Sequence, residues 1–320
     1  MSARTALITG ITGQTGSYLA ETLAERGWAL HGLVRAGEPL SELPGGAEPI
    51  VGDLADADSL RAAIETTRPT AVVNLAAISS VAYSWNHPLE TARVNGLSVA
   101  ALLDAAHNQQ QQTGEPVSVV QASSAEIFGA AASAPQNETT PIAPTNPYGA
   151  SKAYGHHLVG VYRGLGLKAS SAILYNHESP RRPETFVTRK ITAGVARIAA
   201  GLQDELVLGD LSIRRDWGWA PDYAKAIAAV LEGDAPDDYV VATGVSHSIA
   251  DFVAAAFQAV GVEDWRPYVS IDQSLVRAGD SPEMRGDATR LRERYGWAPS
   301  VDFEGIVAAM VAHDRELLES

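Results

Sequence analysis

The 320-residue chain predicts a doubly wound parallel α/β sheet with a smaller second lobe. Three observations carry this reading. Short β-branched runs alternate with helical patterns through about residue 175. A glycine-rich turn follows the first of those runs. Beyond residue 176 the alternation loosens into short elements punctuated by Pro and Trp. The length agrees, since ~150 residues per domain allows two domains or one large unit with an added lobe.

Residues 5–9 form the first strand and run into Gly10. Gly13 and Gly16 follow, and a helical pattern then turns Tyr18, Leu19, Leu23 and Ala24 inward. Residues 28–34 read as the second strand, and a loop bearing Pro and Gly (37–46) leads to a third at 49–51. A helix over 60–67 precedes the fourth strand at 70–75. A long Ala/Leu helix over 95–106 precedes the fifth strand at 117–122, which Ser124 closes. Residues 108–112, one Asn and four Gln, read as a solvated loop between that helix and strand. A polar, proline-rich loop (135–147) precedes a helix over 148–163 and a sixth strand at 169–175. The C-terminal helix is expected near 303–317. The smaller lobe lies mainly after residue 176, with the chain crossing back to the first domain around 216–231.

Composition narrows the function classes. Hydrophobic residues at 46% and charged residues at 19% are those of a globular protein. With 38 acidic against 24 basic residues, the net charge of -14 repels nucleic acid and anionic membranes unless a local basic pocket overrides it. The absence of cysteine excludes disulfides, thiolate catalysis and thiolate metal sites. The eight histidines show no metal-ligand spacing. Neither a signal peptide nor an apolar run of the ~18 residues that span a membrane is evident, so a soluble cytoplasmic protein is expected.

The turn after the first strand, with Gly10, Thr12, Gly13, Gln14, Thr15 and Gly16, suits a dinucleotide. Glycines allow close approach of backbone to a pyrophosphate, and the following helix N-terminus offers N–H groups and partial positive charge. Arg35 ends the second strand, where an arginine suits the 2′-phosphate of NADP and a carboxylate would suit NAD. Asp53 and Leu54 lie where adenine would be contacted, although Asp53 could simply cap the next helix. Leu75 ends the fourth strand as a further candidate cofactor contact, and Ala76 and Ala77 after it are small enough to let a cofactor pass.

Tyr148 and Lys152 stand four residues apart on one helix face, where a lysine favours the phenolate and lowers the tyrosine pKa. Such a pair alone would usually be an amphipathic surface pair; the glycine turn and the strand-end Ser124 make it a catalytic one. Glu126, two residues further on, could be an exposed loop residue or a general base for a C–H beside a transient ketone. Arg181, Arg182, Arg189, Lys190, Arg214 and Arg215, with Arg277 beyond, concentrate positive charge in an acidic chain and suggest a diphosphate site.

These segments resemble the extended short-chain dehydrogenase/reductase superfamily, and within it the GDP-mannose 4,6-dehydratase family. The resemblance rests on residues 6–21, 74–77, 121–129, 215–218 and 238–244. It rests most specifically on Asn-His-Glu-Ser-Pro-Arg-Arg at 176–182 and Phe-Val-Thr-Arg-Lys-Ile-Thr at 186–192. It implies an NADP-binding, Rossmann-type domain over 1–175 plus about 216–245, and a nucleotide-sugar lobe over 176–215 and about 246–320. It further implies that Tyr148 takes the proton of the sugar 4-OH as hydride leaves C4. Glu126 removes the C5 proton as water leaves C6, and hydride returns to C6. Lys152 would hold the nicotinamide ribose and Ser124 the C4 oxygen. Ser80, Asn176, Glu178, Val187, Lys190, Arg215, Arg277 and Asp280 would hold the nucleotide diphosphate or sugar.

The chain departs from the family pattern at Thr15 (usually Asp), Ser124 (usually Thr), Ala125 (usually Ser), Ala36 (usually Arg) and Asp280 (usually Glu). The loop after Ala36 is short where the family's reaches a neighbouring subunit, so a homodimer is expected, using the helices of Ala106 and His156. The substrate would be GDP-mannose or a variant GDP-sugar such as a heptose or octose. A GDP-sugar 4-epimerase or 4-ketoreductase would share Tyr148 and Lys152 without needing Glu126. A non-catalytic NADP-binding regulator would need neither.

Overall fold

The computed structural model describes residues 4–37, 42–275 and 281–319. A seven-stranded sheet, parallel throughout, is built from β1 (Thr5–Thr9), β2 (Ala29–Val34), β3 (Glu48–Val51), β4 (Ala71–Asn74), β5 (Ser118–Ser124), β6 (Lys168–Leu174) and a strand from late in the chain (Asp238–Val241). From one edge to the other the order is β3, β2, β1, β4, β5, β6 and the late strand. The direction of winding reverses between β1 and β4, and ligands of open α/β sheets bind in the crevice at such a reversal.

Helices cover both faces, so the strands read as apolar runs. Ala6 and Ile8 face α1 (Gln14–Glu25), while Leu7 faces α2 (Ala57–Thr67) and a later helix, Ser98–Thr113. Two short helices, α3 (Val81–Asn86) and α4 (Pro88–Ala92), lead through one widened turn at Arg93–Leu97 into that helix, α5. In the widened turn, Asn95 clamps the backbone of Ile78, donating to its O at 2.9 Å and accepting from its N–H at 2.8 Å.

Residues 108–112 are not the loop expected from their composition; they are the last turns of α5, which stops at Gly114 with φ 73°. Glutamine is a good helix former, and these side chains are engaged. Gln109 donates to Pro69 O at 2.9 Å and Gln110 donates to Gly166 O at 3.0 Å.

After α6 (Pro147–Gly164) and β6 the chain enters a second sheet of β7 (Asn176–Glu178), β9 (Arg214–Trp219), β11 (Ser246–Ser248) and β13 (Glu283–Met284). β8 (Leu206–Leu208) pairs with β12 (Val269–Ile271). Around Trp217, Phe252 and Phe303, α7 (Val187–Ala199), α9 (Ile249–Gln258) and α11 (Phe303–Glu319) close a separate apolar core. α8 (Ala220–Glu232), the late strand β10 (Asp238–Val241) and α10 (Thr289–Tyr295) pack with the large sheet through Tyr223, Ile227, Val241 and Leu291. Buried Asp216 on β9 ties these parts together. Its carboxylate accepts from Thr243 N at 2.8 Å, Thr243 Oγ1 at 2.6 Å, Gly244 N at 2.9 Å and Gly286 N at 3.2 Å. No helix among the described residues is long and apolar enough to cross a membrane.

Candidate active site

A cleft of about 1630 Å³ opens at the carboxyl ends of β1, β4, β5 and β6, between the two sheets. The glycine turn forms its floor. Gly10 has φ 68°, and a Cβ on it would stand 2.8 Å from Ala76 N. A Cβ on Gly16 would stand 2.0 Å from Gly10 O, so only glycine lets α1 begin this close to β1. Gly13 caps α1 without a side chain, which leaves the first-turn N–H groups for a ligand. Thr12 and Thr15 line the cleft, as do Arg35, Asp53, Leu54, Leu75, Ala76 and Ala77. The helix-cap alternative for Asp53 falls to Asp56, which accepts from Asp58 N and Ser59 N at the start of α2. This narrow, glycine-floored slot and unfilled helix start fit a dinucleotide pyrophosphate.

The turn is latched to the strand-end segment 175–181. Gln14 donates to His177 O at 2.9 Å and accepts from Ser179 Oγ at 2.8 Å. His177 Nδ1 lies 2.8 Å from Tyr175 O, which can only accept, so that nitrogen carries the hydrogen. Nε2 therefore accepts from the Thr15 hydroxyl at 2.7 Å. Burial pushes the His177 pKa down to about 4, so this contact is neutral.

The basic cluster expected to grip a diphosphate is mostly structural. Arg181 donates to Ser17 Oγ, pairs with Glu21 and lies over Tyr18. Arg189 is buried on Asp314 at 2.6 Å, and Arg214 binds Ser246 O. Lys190 donates to Val207 O at 2.7 Å and lies outside the cleft lining. Arginines satisfied by the carboxylates of α1 and α11 and by the carbonyl of β11 have little left for a ligand. Arg182 and Arg215 do face the cleft, with Ser80, Asn176, Glu178 and Val187. Arg182 reaches Glu178 at 3.3 Å; Arg215 donates to Ser281 O at 2.8 Å. Arg277 and Asp280 lie outside the described residues.

Ser124, Glu126, Tyr148 and Lys152 meet at the centre of the cleft. Ser124 ends β5, accepts from Glu126 N at 3.2 Å and hydrogen-bonds the Tyr148 side chain. Lys152, one helical turn beyond Tyr148, donates to Ala122 O at 3.0 Å and lies 5.9 Å from the Tyr148 ring centroid. The expected lowering of the tyrosine by the lysine is not what the structure shows. Burial pushes the Tyr148 pKa up to about 12, outweighing the Ser124 hydrogen bond, with the Glu126 charge adding to the rise and the Arg182 charge opposing it. The same burial pushes the Lys152 pKa from 10.5 down to about 8. The sequence reading missed Asn146, which donates to Glu126 Oε2 at 2.7 Å. Its signal was Asn before Pro at a helix start.

Comparison with known proteins places this site in a family. The sequence model described as GDP-mannose 4,6 dehydratase matches residues 7–310. The chain belongs to the GDP-mannose 4,6-dehydratase family. GDP-mannose 4,6 dehydratase 1 of Arabidopsis thaliana is 43% identical, over 98% of this chain and 90% of that protein. The human GDP-mannose 4,6 dehydratase is 38% identical, over 98% and 92%. Among solved structures, a UDP-glucose 4-epimerase of Thermus thermophilus in complex with NAD superposes with TM-score 0.82 at 30% identity, covering 97% of this chain and 99% of that one. RMD of Pseudomonas aeruginosa, solved with NADPH, gives TM-score 0.80 at 25% identity, with 98% of both chains covered. A nicotinamide cofactor and nucleotide-sugar dehydratase chemistry of the lyase class follow for this member of the family.

Burying the Lys152 cation has a measurable consequence. Below pH 8 the folded protein keeps the ammonium charged and desolvated, so the cost is present in full. As pH rises from about 8 to 10.5 the folded protein sheds that proton before the unfolded chain does, and the cost fades. Lys152→Met in this dehydratase-family chain is expected to lose turnover yet be more stable than the parent at neutral pH, by up to about 3 kcal/mol. Urea denaturation at a series of pH values should show the gap closing above pH 8; a less stable variant at neutral pH would refute the account.

Proposed function

We propose that the chain converts GDP-mannose, or a closely related GDP-sugar, into the GDP-4-keto-6-deoxy sugar. The observation that carries this reading is Glu126 held in the same cleft as Ser124 and Tyr148. A simple dehydrogenase needs the serine and tyrosine, whereas elimination needs a further carboxylate. Bound dinucleotide supplies hydride acceptance from C4, the positive charge of its oxidised ring, and hydride return to C6. Tyr148 takes the 4-OH proton, with Ser124 bridging to the C4 oxygen. The ketone so formed acidifies C5, and Glu126 removes that proton and passes it to the departing 6-OH, which leaves as water; after hydride adds at C6 a solvent proton adds at C5, and the 4-OH proton held by Tyr148 goes to solvent. Lys152 holds the ribose beside Tyr148. Asn176, Arg182 and Arg215 line the side where diphosphate and sugar would lie, with Ser80, Glu178 and Val187 completing the wall.

Arg35 supports NADP over NAD, since it borders the Gly52–Asp53 rim together with Ser59 and no carboxylate follows it before Glu38. A homodimer through α5 and α6 is supported by the apolar side chains they expose, with Tyr154 45% and Val161 56% exposed on α6 and Leu97 56% exposed where α5 begins.

Incubation with GDP-mannose in D₂O should give a product lighter by one water and carrying one deuterium. Glu126→Gln should cut that turnover by about 10²–10⁴-fold while still forming reduced cofactor. An unchanged mass with inverted C4 would replace elimination by epimerisation. Arg35→Ala should raise KM for NADP at least tenfold and leave that for NAD within twofold; equal effects would remove the 2′-phosphate role. Sedimentation equilibrium should give about twice the 33.7 kDa chain mass, and Tyr154→Glu with Val161→Glu should halve it; a monomeric parent would discard the dimer.

A further inference from the structure

We infer that Asn146 is a positioning residue for Glu126, binding the carboxylate to the same helix start that carries Tyr148 and Lys152. The inference rests on the reading of Glu126 as the C5 base. Asn146 caps α6 from an extended backbone (φ −144°, ψ 161°), and its Oδ1 accepts from Gly149 N at 2.7 Å. That bond fixes which end of the amide faces the helix, so Nδ2 must be the atom 2.7 Å from Glu126 Oε2. Pro147 follows at the first helical position and sets the entry angle.

The Glu126 backbone is held against the same turn. Its N–H reaches Ser124 Oγ at 3.2 Å, and a Cβ on Gly149 would stand 2.5 Å from its carbonyl oxygen. The main chain at Glu126 and the first turn of α6 thus move as one body, and the Asn146 amide extends that rigidity to the carboxylate. An amide at this position performs both tasks: it caps with its oxygen and donates with its nitrogen. An aspartate would cap equally well but present only acceptors to Glu126.

The consequence is a fixed geometry between two proton-transfer groups that act in succession, Tyr148 on the 4-OH and Glu126 on C5. Of the charged and titratable groups on the elements that line the cleft with Glu126, Tyr148 and Lys152 come from α6, His177, Glu178 and Arg182 from the 176–182 segment, Tyr83, Glu90 and Arg93 from the α3–α5 segment, and Asp210 and Arg215 from the second lobe.

The test compares Asn146→Asp and Asn146→Ser with the parent and with Glu126→Gln. Aspartate and serine are good helix caps, so both variants should melt within a few degrees of the parent. Asn146→Asp sets a second carboxylate against Glu126. The acid limb of kcat with GDP-mannose should move up by about one pH unit. Its kcat at neutral pH should fall about tenfold, with KM within twofold. Asn146→Ser should lose about tenfold in kcat without moving that limb. A helix cap alone would leave the pH profile untouched, so Asn146→Asp with the parental limb and parental kcat overturns the inference. If Asn146→Asp fails to fold, a parental kcat in Asn146→Ser overturns it equally. Parental turnover in Glu126→Gln would instead remove the base reading itself, and the inference with it.

Discussion

The first turn of α6 can lie against the end of β5 only because residue 149 is glycine, and the arrangement of the cleft depends on that contact. With no side chain in the way, the helix presses onto the carbonyl of Glu126. Ser124 then reaches both the Glu126 backbone and Tyr148. One turn later Lys152 reaches back to Ala122 O on the same strand. Four chemically distinct groups thus come from one strand end and one helix start, with their spacing set by packing. Sites on rigid elements hold angstrom-level geometry more reliably than sites on loops.

A second constraint joins the cofactor turn to the wall of the sugar pocket. Gln14 and Thr15 belong to the turn, and their partners His177 and Ser179 belong to the segment that continues through Glu178 to Arg182. Every one of these bonds is between neutral groups, because His177 is buried, stacks on Tyr223 at 4.5 Å and is pushed far below its ordinary pKa. The latch therefore does not loosen as pH passes through the usual histidine range. The aspartate usual in the family at residue 15 would place a charge here and pull the imidazole toward protonation. Thr15 keeps the junction uncharged.

Most of the large sheet was legible in the sequence because strands buried on both faces are continuous apolar runs, and the Gly10–Gly16 turn and the Tyr148–Lys152 pair are local spacings. Where the reading failed, the deciding contact was distant. Residues 108–112 look like a loop until Pro69 and Gly166, far along the chain, are seen to bind their amides. Arg189 looks like a ligand residue until Asp314 is brought beside it by α11. Asn146 went unread: Asn before Pro is a cap signal, but its bond to Glu126 spans twenty residues and depends on the packing at Gly149. Charge counting found the arginines without telling which were already satisfied.

Among the cations that face the cleft, Arg182 has a double role. In a chain of net charge -14, it is one of the groups that can draw an anionic ligand inward. It also counters the burial that holds Tyr148 as a neutral phenol. Its charge is shared with Glu178, whose own pKa burial raises while Arg182 pulls it down. An anion arriving at Arg182 competes for the guanidinium with both neighbours. Burial accordingly keeps Tyr148 a neutral phenol at neutral pH, and the cation that eases its deprotonation faces the side where a nucleotide diphosphate would lie on the proposed reading. Binding thus weakens one influence on the phenol while bringing its reacting hydroxyl within reach. On the proposed reading, further cationic help for the phenol would come from the positive ring of an oxidised dinucleotide held beside Tyr148, so cofactor and sugar would act together on its proton.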